Sequence, residues 1–237
     1  MRKRMLPVIQ CAFRCTRHST LATRHLSLRS HGSTAMKRMA RMYSIVLALV
    51  AIFLSACGAN FQAGSGAAQG REALIRGDYQ DAVSSFQSSA QADPNKTYTF
   101  GPQLKEGILS YLGRAQYLNG QLEAARDTLK KDLAQQGSNK NFALTQLYLG
   151  LTEARLGDQQ AGLRDIESGT KGILDFLNYV QQTFRFDIGK LWDTGDLIRN
   201  AANANLAMIE RGNFDWPMLV SSSEALAMRF ERGWKNE

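Results

Sequence analysis

The chain of 237 residues carries 29 basic and 21 acidic side chains, a formal net charge of +8. Ten of the basic residues and none of the acids precede Cys57, so the remainder holds 19 basic against 21 acidic residues and has no excess with which to displace counterions from a nucleic acid. All three histidines lie before residue 36 and Cys57 is the last cysteine, which removes histidine general-base catalysis, an intrachain disulfide and the usual zinc ligand sets from everything that follows.

Residues 1–35 contain Cys11, Cys15, the histidines and many arginines and serines, with no acid. That composition resembles a mitochondrial transit peptide. It equally resembles translated sequence upstream of a start at Met36, the reading that leaves the next segment intact. Residues 36–56 run in the order of a secretory signal: Lys37, Arg38 and Arg41, then an apolar stretch from Tyr43 to Ala56. That stretch is short for a membrane-spanning helix, which needs roughly 20 residues. Its last residues, Leu54, Ser55, Ala56 and Cys57, resemble the lipobox of bacterial lipoproteins. The resemblance implies cleavage before Cys57, a covalent lipid on its thiol (which also withdraws that thiol from catalysis) and no other cofactor. Gly58, in place of an aspartate, implies sorting to the outer membrane on its periplasmic face. Residues 57–66, small and Gly-rich, read as a flexible tether.

Residues 67–184 carry a recurrent pattern. Gly70, Gly77, Tyr79, Ala82, Phe86 and Pro94 are followed at matching offsets by Gly113, Gly120, Ala125 and Leu129, and then by Gly150, Gly157, Gly162 and Ile166. Small residues let two antiparallel helices touch, Gly77 ends the first helix and Pro94 stops the second. A bulky residue at Gly77 or Ala82 is expected to overpack that first hairpin. The pattern resembles the tetratricopeptide repeat, a helix–turn–helix of 34 residues. The turn glycines are 43 and 37 residues apart, so the unit is lengthened twice, and the longer insertion, around "TYTFGPQLK", is expected to be a loop. No segment reads as a strand.

Ile173, Phe176, Leu177 and Val180 make one apolar stripe that extends the third hairpin as a long helix. In residues 185–237, Asp193 and Asp196 favour a capped helix start, Gly212 an end, and Pro217 the first turn of a last helix. These capping helices complete an expected all-α, right-handed helical solenoid of three to four units, whose end units must cover an otherwise unburied face. Asp187, Asp193 and Asp196 lack the spacing of a calcium loop, and helix capping accounts for them. Trp192, Trp216 and Trp234 read as core rather than interface anchors.

The family resemblance places Arg71, Ser110, Arg114, Tyr117, Leu144, Leu147, Leu151 and Arg155 on an inner, partner-binding face. Arg71 and Arg114 occupy equivalent positions and suit a carboxylate or a peptide carbonyl. The carboxylate grip of some family members is not matched, because Ala67, Tyr111, Leu144 and Tyr148 stand in its places; a groove for a helix or extended segment fits better. The resulting expectation is a non-enzymatic, membrane-anchored periplasmic scaffold or adaptor for envelope proteins or peptides. It has no nucleic acid, metal or evident small-molecule partner. The alternatives are a permanent subunit of one envelope complex, an organelle-targeted soluble repeat protein, or an enzyme. The last would need a deep cleft holding two close carboxylates.

Overall fold

In each hairpin a glycine of the first helix makes room for the second helix to pack directly against it, through a side chain in the first two hairpins and through backbone in the third. The computed structural model describes residues 63–100, 104–135, 140–183 and 192–232, all within a unit spanning Val50–Glu237. Cys57, the apolar stretch before it, Asp187 and Trp234 lie outside the described residues.

The helices are α1 (63–76), α2 (Tyr79–Ala92), α3 (Ile108–Leu118), α4 (Leu122–Ala134), α5 (Ala143–Arg155), α6 (Gln159–Thr183), α7 (Leu197–Arg211) and α8 (Trp216–Arg232). Strands β1 (Thr97–Phe100) and β2 (Leu104–Gly107) form an antiparallel pair between α2 and α3. Among the described residues the fold is thus all-α apart from one two-stranded ribbon, with α2 to α8 packing in sequence and α8 returning to α5.

The three hairpins α1–α2, α3–α4 and α5–α6 share one construction. A Cβ on Gly70 would meet the Phe86 ring at 2.7 Å, one on Gly113 would meet Leu129 at 2.5 Å, and one on Gly150 would meet the Ile166 backbone nitrogen at 2.4 Å. Gly77, Gly120 and Gly157 have φ of +84°, +77° and +93°. The residue after each of them donates its N–H to a carbonyl five residues back, at 2.9, 2.8 and 3.0 Å. This is the Schellman closure that a left-handed glycine permits. Gly77 therefore acts through its backbone, not by packing: a Cβ there would meet nothing within 4 Å. The overpacking expected at Gly77 belongs instead to Gly70.

Two further expectations are corrected. Helix α1 already includes residues 63–66 of the expected tether, because Ala63 is fully buried and its carbonyl accepts from Ser89 Oγ at 2.6 Å and Tyr98 OH at 3.0 Å. The inserted segment between hairpins is not a plain loop but the β-ribbon, with Tyr98 opposite Glu106 and Thr97 opposite Gly107. Alternation along β2 buries Leu104 and Glu106 and leaves Lys105 less covered.

The core divides into a cluster under α1, α2 and α3 and a larger one running from α3 to α8. Helix α8 enters the second through Leu219, Ser223, Leu226, Ala227 and Phe230, a stripe of helical period. Phe230 meets Phe176 and Trp192 at ring-centroid distances of 5.4 and 5.9 Å. Trp192 is thus core and Trp216 is partly buried against it. Asp193 caps α7, accepting from the N–H groups of Ile198 at 2.6 Å and Arg199 at 3.0 Å.

Gly64 lies in α1 with nothing near its Cβ position, whereas Gly150 faces backbone. Gly64→Ala should raise stability by about 0.4–1 kcal/mol through the unfolded chain. Gly150→Ala should lower it by about 1–3 kcal/mol through overpacking. Urea unfolding of the two variants checks both signs.

Candidate functional site

Helices α3 and α5 are buried along almost their whole length, because neighbours cover every side. One of those neighbours is α8, which lies on the face where a bound segment was expected. Arg114 of α3 donates through Nη1 to Glu231 of α8 and through Nη2 to Glu106 of β2, the latter at 3.3 Å. Tyr117 OH and Arg155 Nη2 both donate to Oε1 of Glu224, one heptad before Glu231 on α8. The Arg155 guanidinium also stacks 4.6 Å from the Tyr117 ring centroid, and that of Arg114 sits 4.2 Å from the Tyr111 ring. Two carboxylates seven residues apart occupy one side of a helix, two turns apart. Arg114 and Arg155, both placed on the inner face from the sequence, therefore bond to a pair of acids on the chain's own helix.

The nominated residues separate into two groups. Ser110, Leu144, Leu147 and Leu151 are fully buried and are not available to a partner from outside. Ser110 belongs to an internal polar network in which the Thr145 hydroxyl lies 2.9 Å from both Ser110 Oγ and Asp132 Oδ2, and Lys140 lies 3.3 Å from Asp132. Arg71, Arg114, Tyr117 and Arg155 are the polar group; Arg114 and Tyr117 are buried, Arg71 and Arg155 partly open. Sequence reasoning missed Glu106, Glu224 and Glu231. Glu106 sat in a segment read as loop, and the two α8 acids pair with residues 107 and 117 positions away.

A cavity of about 410 Å³ opens between α1, α3, β2 and α8. Its walls are apolar and aromatic, including Leu74, Leu104, Tyr111, Tyr148, Trp192 and Met228. Four guanidinium groups (Arg71, Arg76, Arg114, Arg232) and two carboxylates (Glu106, Glu231) line it. Arg114 is completely buried and the side chain of Glu106 is 3% exposed. Arg114 Nε and Glu106 Oε1 are buried with no hydrogen-bond partner among the described residues. Burial pushes the Glu231 carboxyl above its ordinary value although Arg114 pulls it down, and burial raises the Tyr111 and Tyr148 phenols. For Arg114, burial favours the neutral form, but Glu106 and Glu231 outweigh it and hold the guanidinium charged.

This cleft holds two carboxylates, the arrangement that an enzymatic reading asked for. Arg114 stands between them and bonds to both, so the pair is a clamp around a cation rather than an acid and a free base. Among the described residues, no group of three histidine, cysteine or acidic side chains is placed to hold a metal, and no helix is long and apolar enough to cross a membrane. No family model, curated protein or solved structure matches the chain.

A second strained acid pair lies between α5 and α6. The Asp165 carboxyl is pushed up from 3.8 to about 6 by burial and by a hydrogen bond shared with Glu153, while Gln146 and Arg164 oppose the shift. Lys130 sits 2.8 Å from Glu153. The folded chain therefore binds this proton more tightly than the unfolded chain. Its stabilising effect is complete below about pH 4 and is lost as pH rises through about 6. Asp165→Asn should flatten that part of the melting-temperature profile, measured between pH 4 and 7.

Removing the other acid tests the α8 dock. Glu224→Ala leaves Tyr117 and Arg155 without their shared acceptor and should cost about 1–3 kcal/mol. Hydrogen exchange should accelerate in α8 before it does in α4.

Proposed function

We propose that the protein is a lipid-anchored helical-repeat adaptor of the bacterial cell envelope, facing the periplasm from the outer membrane. In this reading the three hairpins are tetratricopeptide-like units of a right-handed solenoid, α7 and α8 form its cap, and Cys57 carries the lipid. The observation that carries it is the common hairpin construction: Gly70, Gly113 and Gly150 each face the residue sixteen positions later, and each turn closes on a left-handed glycine. Repeats of this kind work by presenting a stack of helices to other chains rather than by chemistry at one centre. The reading assigns no catalytic step to the protein.

Support for helix recognition comes from α8 itself. Arg114, Tyr117 and Arg155 select carboxylates seven residues apart on a helix whose apolar stripe faces the same way. Because α8 already occupies these groups, envelope partners that present an amphipathic helix or a like segment would seat on the inner-helix surface it leaves open, where Ile75 is exposed. Anchoring by several acyl chains suits a permanent position, because each buried methylene contributes about 0.8 kcal/mol and a single chain holds only marginally.

Two measurements test the reading in a double-membrane bacterium. Cys57→Ser should abolish labelling by radioactive palmitate and move the full chain from the membrane to the soluble fraction; retention in the membrane fraction would remove the anchor from the proposal. A photo-crosslinking side chain at Ile75, on the inner face, should capture a discrete partner that the same group at Lys131, on the second helix of its hairpin, does not. Identical patterns from both positions would count against an adaptor surface.

A further inference from the structure

We propose that the cavity between α1, α3, β2 and α8 is a binding site for a small amphipathic hydroxycarboxylate: a molecule with an apolar body and a head carrying one negative charge and one hydroxyl. The inference stands on the cavity and not on the adaptor reading.

Four observations point to that chemistry. The volume of about 410 Å³ falls in the range of small-molecule sites, which are concave and mostly apolar with a few placed polar groups. The walls supply the apolar part: Leu74 and Ile75 from α1, Met228 from α8, and the rings of Tyr111, Tyr148 and Trp192. Arg76 is paired with Glu72 and Asp78 outside the lining, and the other three guanidiniums face two carboxylates, so a single negative charge on the guest is the sign the lining accommodates. Finally, Arg114 Nε offers a proton and Glu106 Oε1 offers lone pairs, and both are buried with no partner among the described residues.

That last pair sharpens the choice. A bare carboxylate accepts from Arg114 but has nothing to donate to Glu106, and it brings like charge toward it. A hydroxyl does both, accepting from Nε and donating to Oε1, once the Arg114–Glu106 pair parts enough to admit it, because neither atom is open to solvent in the ligand-free chain. With the hydroxyl on the charged end, the carboxylate can lie toward Arg71 and Arg232, which line the cavity and are less buried than Arg114. A site built around a buried, unmet donor and acceptor discriminates strongly against an analogue that lacks the matching group.

The probe is 3-hydroxydecanoate, with decanoate and methyl 3-hydroxydecanoate as comparators, titrated calorimetrically into the full chain. The expected result is one site, with the hydroxy acid binding at least tenfold more tightly than decanoate and more tightly than its ester. Ile75 of α1 is 63% exposed and Met228 of α8 43% exposed, and both line the cavity, so each can be enlarged without touching the core. Ile75→Trp and, separately, Met228→Trp should each weaken binding at least tenfold while leaving the ligand-free melting temperature within a degree or two. No heat at millimolar 3-hydroxydecanoate, equal affinity for the hydroxy acid and decanoate, or undiminished binding in both tryptophan variants would overturn the assignment.

Discussion

Close approach of paired helices at a glycine is the constraint from which the rest of the structure follows. At Gly70, Gly113 and Gly150 the two helices of a hairpin come so close that even a methyl group would collide with the partner. That distance fixes the crossing of each pair and stacks the inner helices α3 and α5 side by side. Their neighbours then bury residues which on an isolated amphipathic helix would have faced water, Arg114 and Tyr117 among them.

A buried guanidinium is costly unless it is paired and hydrogen-bonded, and here the pairing arrives from two directions. The β-ribbon delivers Glu106 and the last helix delivers Glu231. The ribbon is therefore more than a connection between hairpins: its alternation turns Glu106 inward, where a loop of the same length would leave it in water. Phe230, one residue before Glu231, packs against Phe176 and Trp192, so apolar and ionic contacts seat the same turn of α8. The Asp165–Glu153 pair on the other side of α5 meets the same cost differently: Lys130 sits beside Glu153, and burial together with the bond to Glu153 makes the Asp165 carboxyl hold its proton up to about pH 6.

The hairpins were legible in the sequence because their signals are local. A left-handed glycine, a small residue and its large opposite number recur within about twenty positions, and helix geometry converts such spacing into contact. Asp193 as a cap and Gly212 as a stop were legible for the same reason. Strands of four residues carry too little period to stand out, so β1, β2 and Glu106 were read as loop. Glu224 and Glu231 look like ordinary solvent-facing charges on an amphipathic helix; nothing within a turn or two of either betrays a partner more than a hundred residues earlier. The equivalence of Arg71 and Arg114 was visible, yet it pointed outward to a separate chain, because spacing alone does not reveal which surface a later helix covers.

The 117-residue separation between Arg114 and Glu231 changes how such a stack assembles. Repeat arrays normally acquire their order from one neighbour to the next. Here the second unit harbours a cation whose counter-charge is synthesised long after its own hairpin is complete. Until that segment docks, α3 carries an expense that its immediate neighbours meet only in part through Glu106. The bond thereby ties the second hairpin to the final helix, a contact of high sequence separation and so of the kind that slows folding.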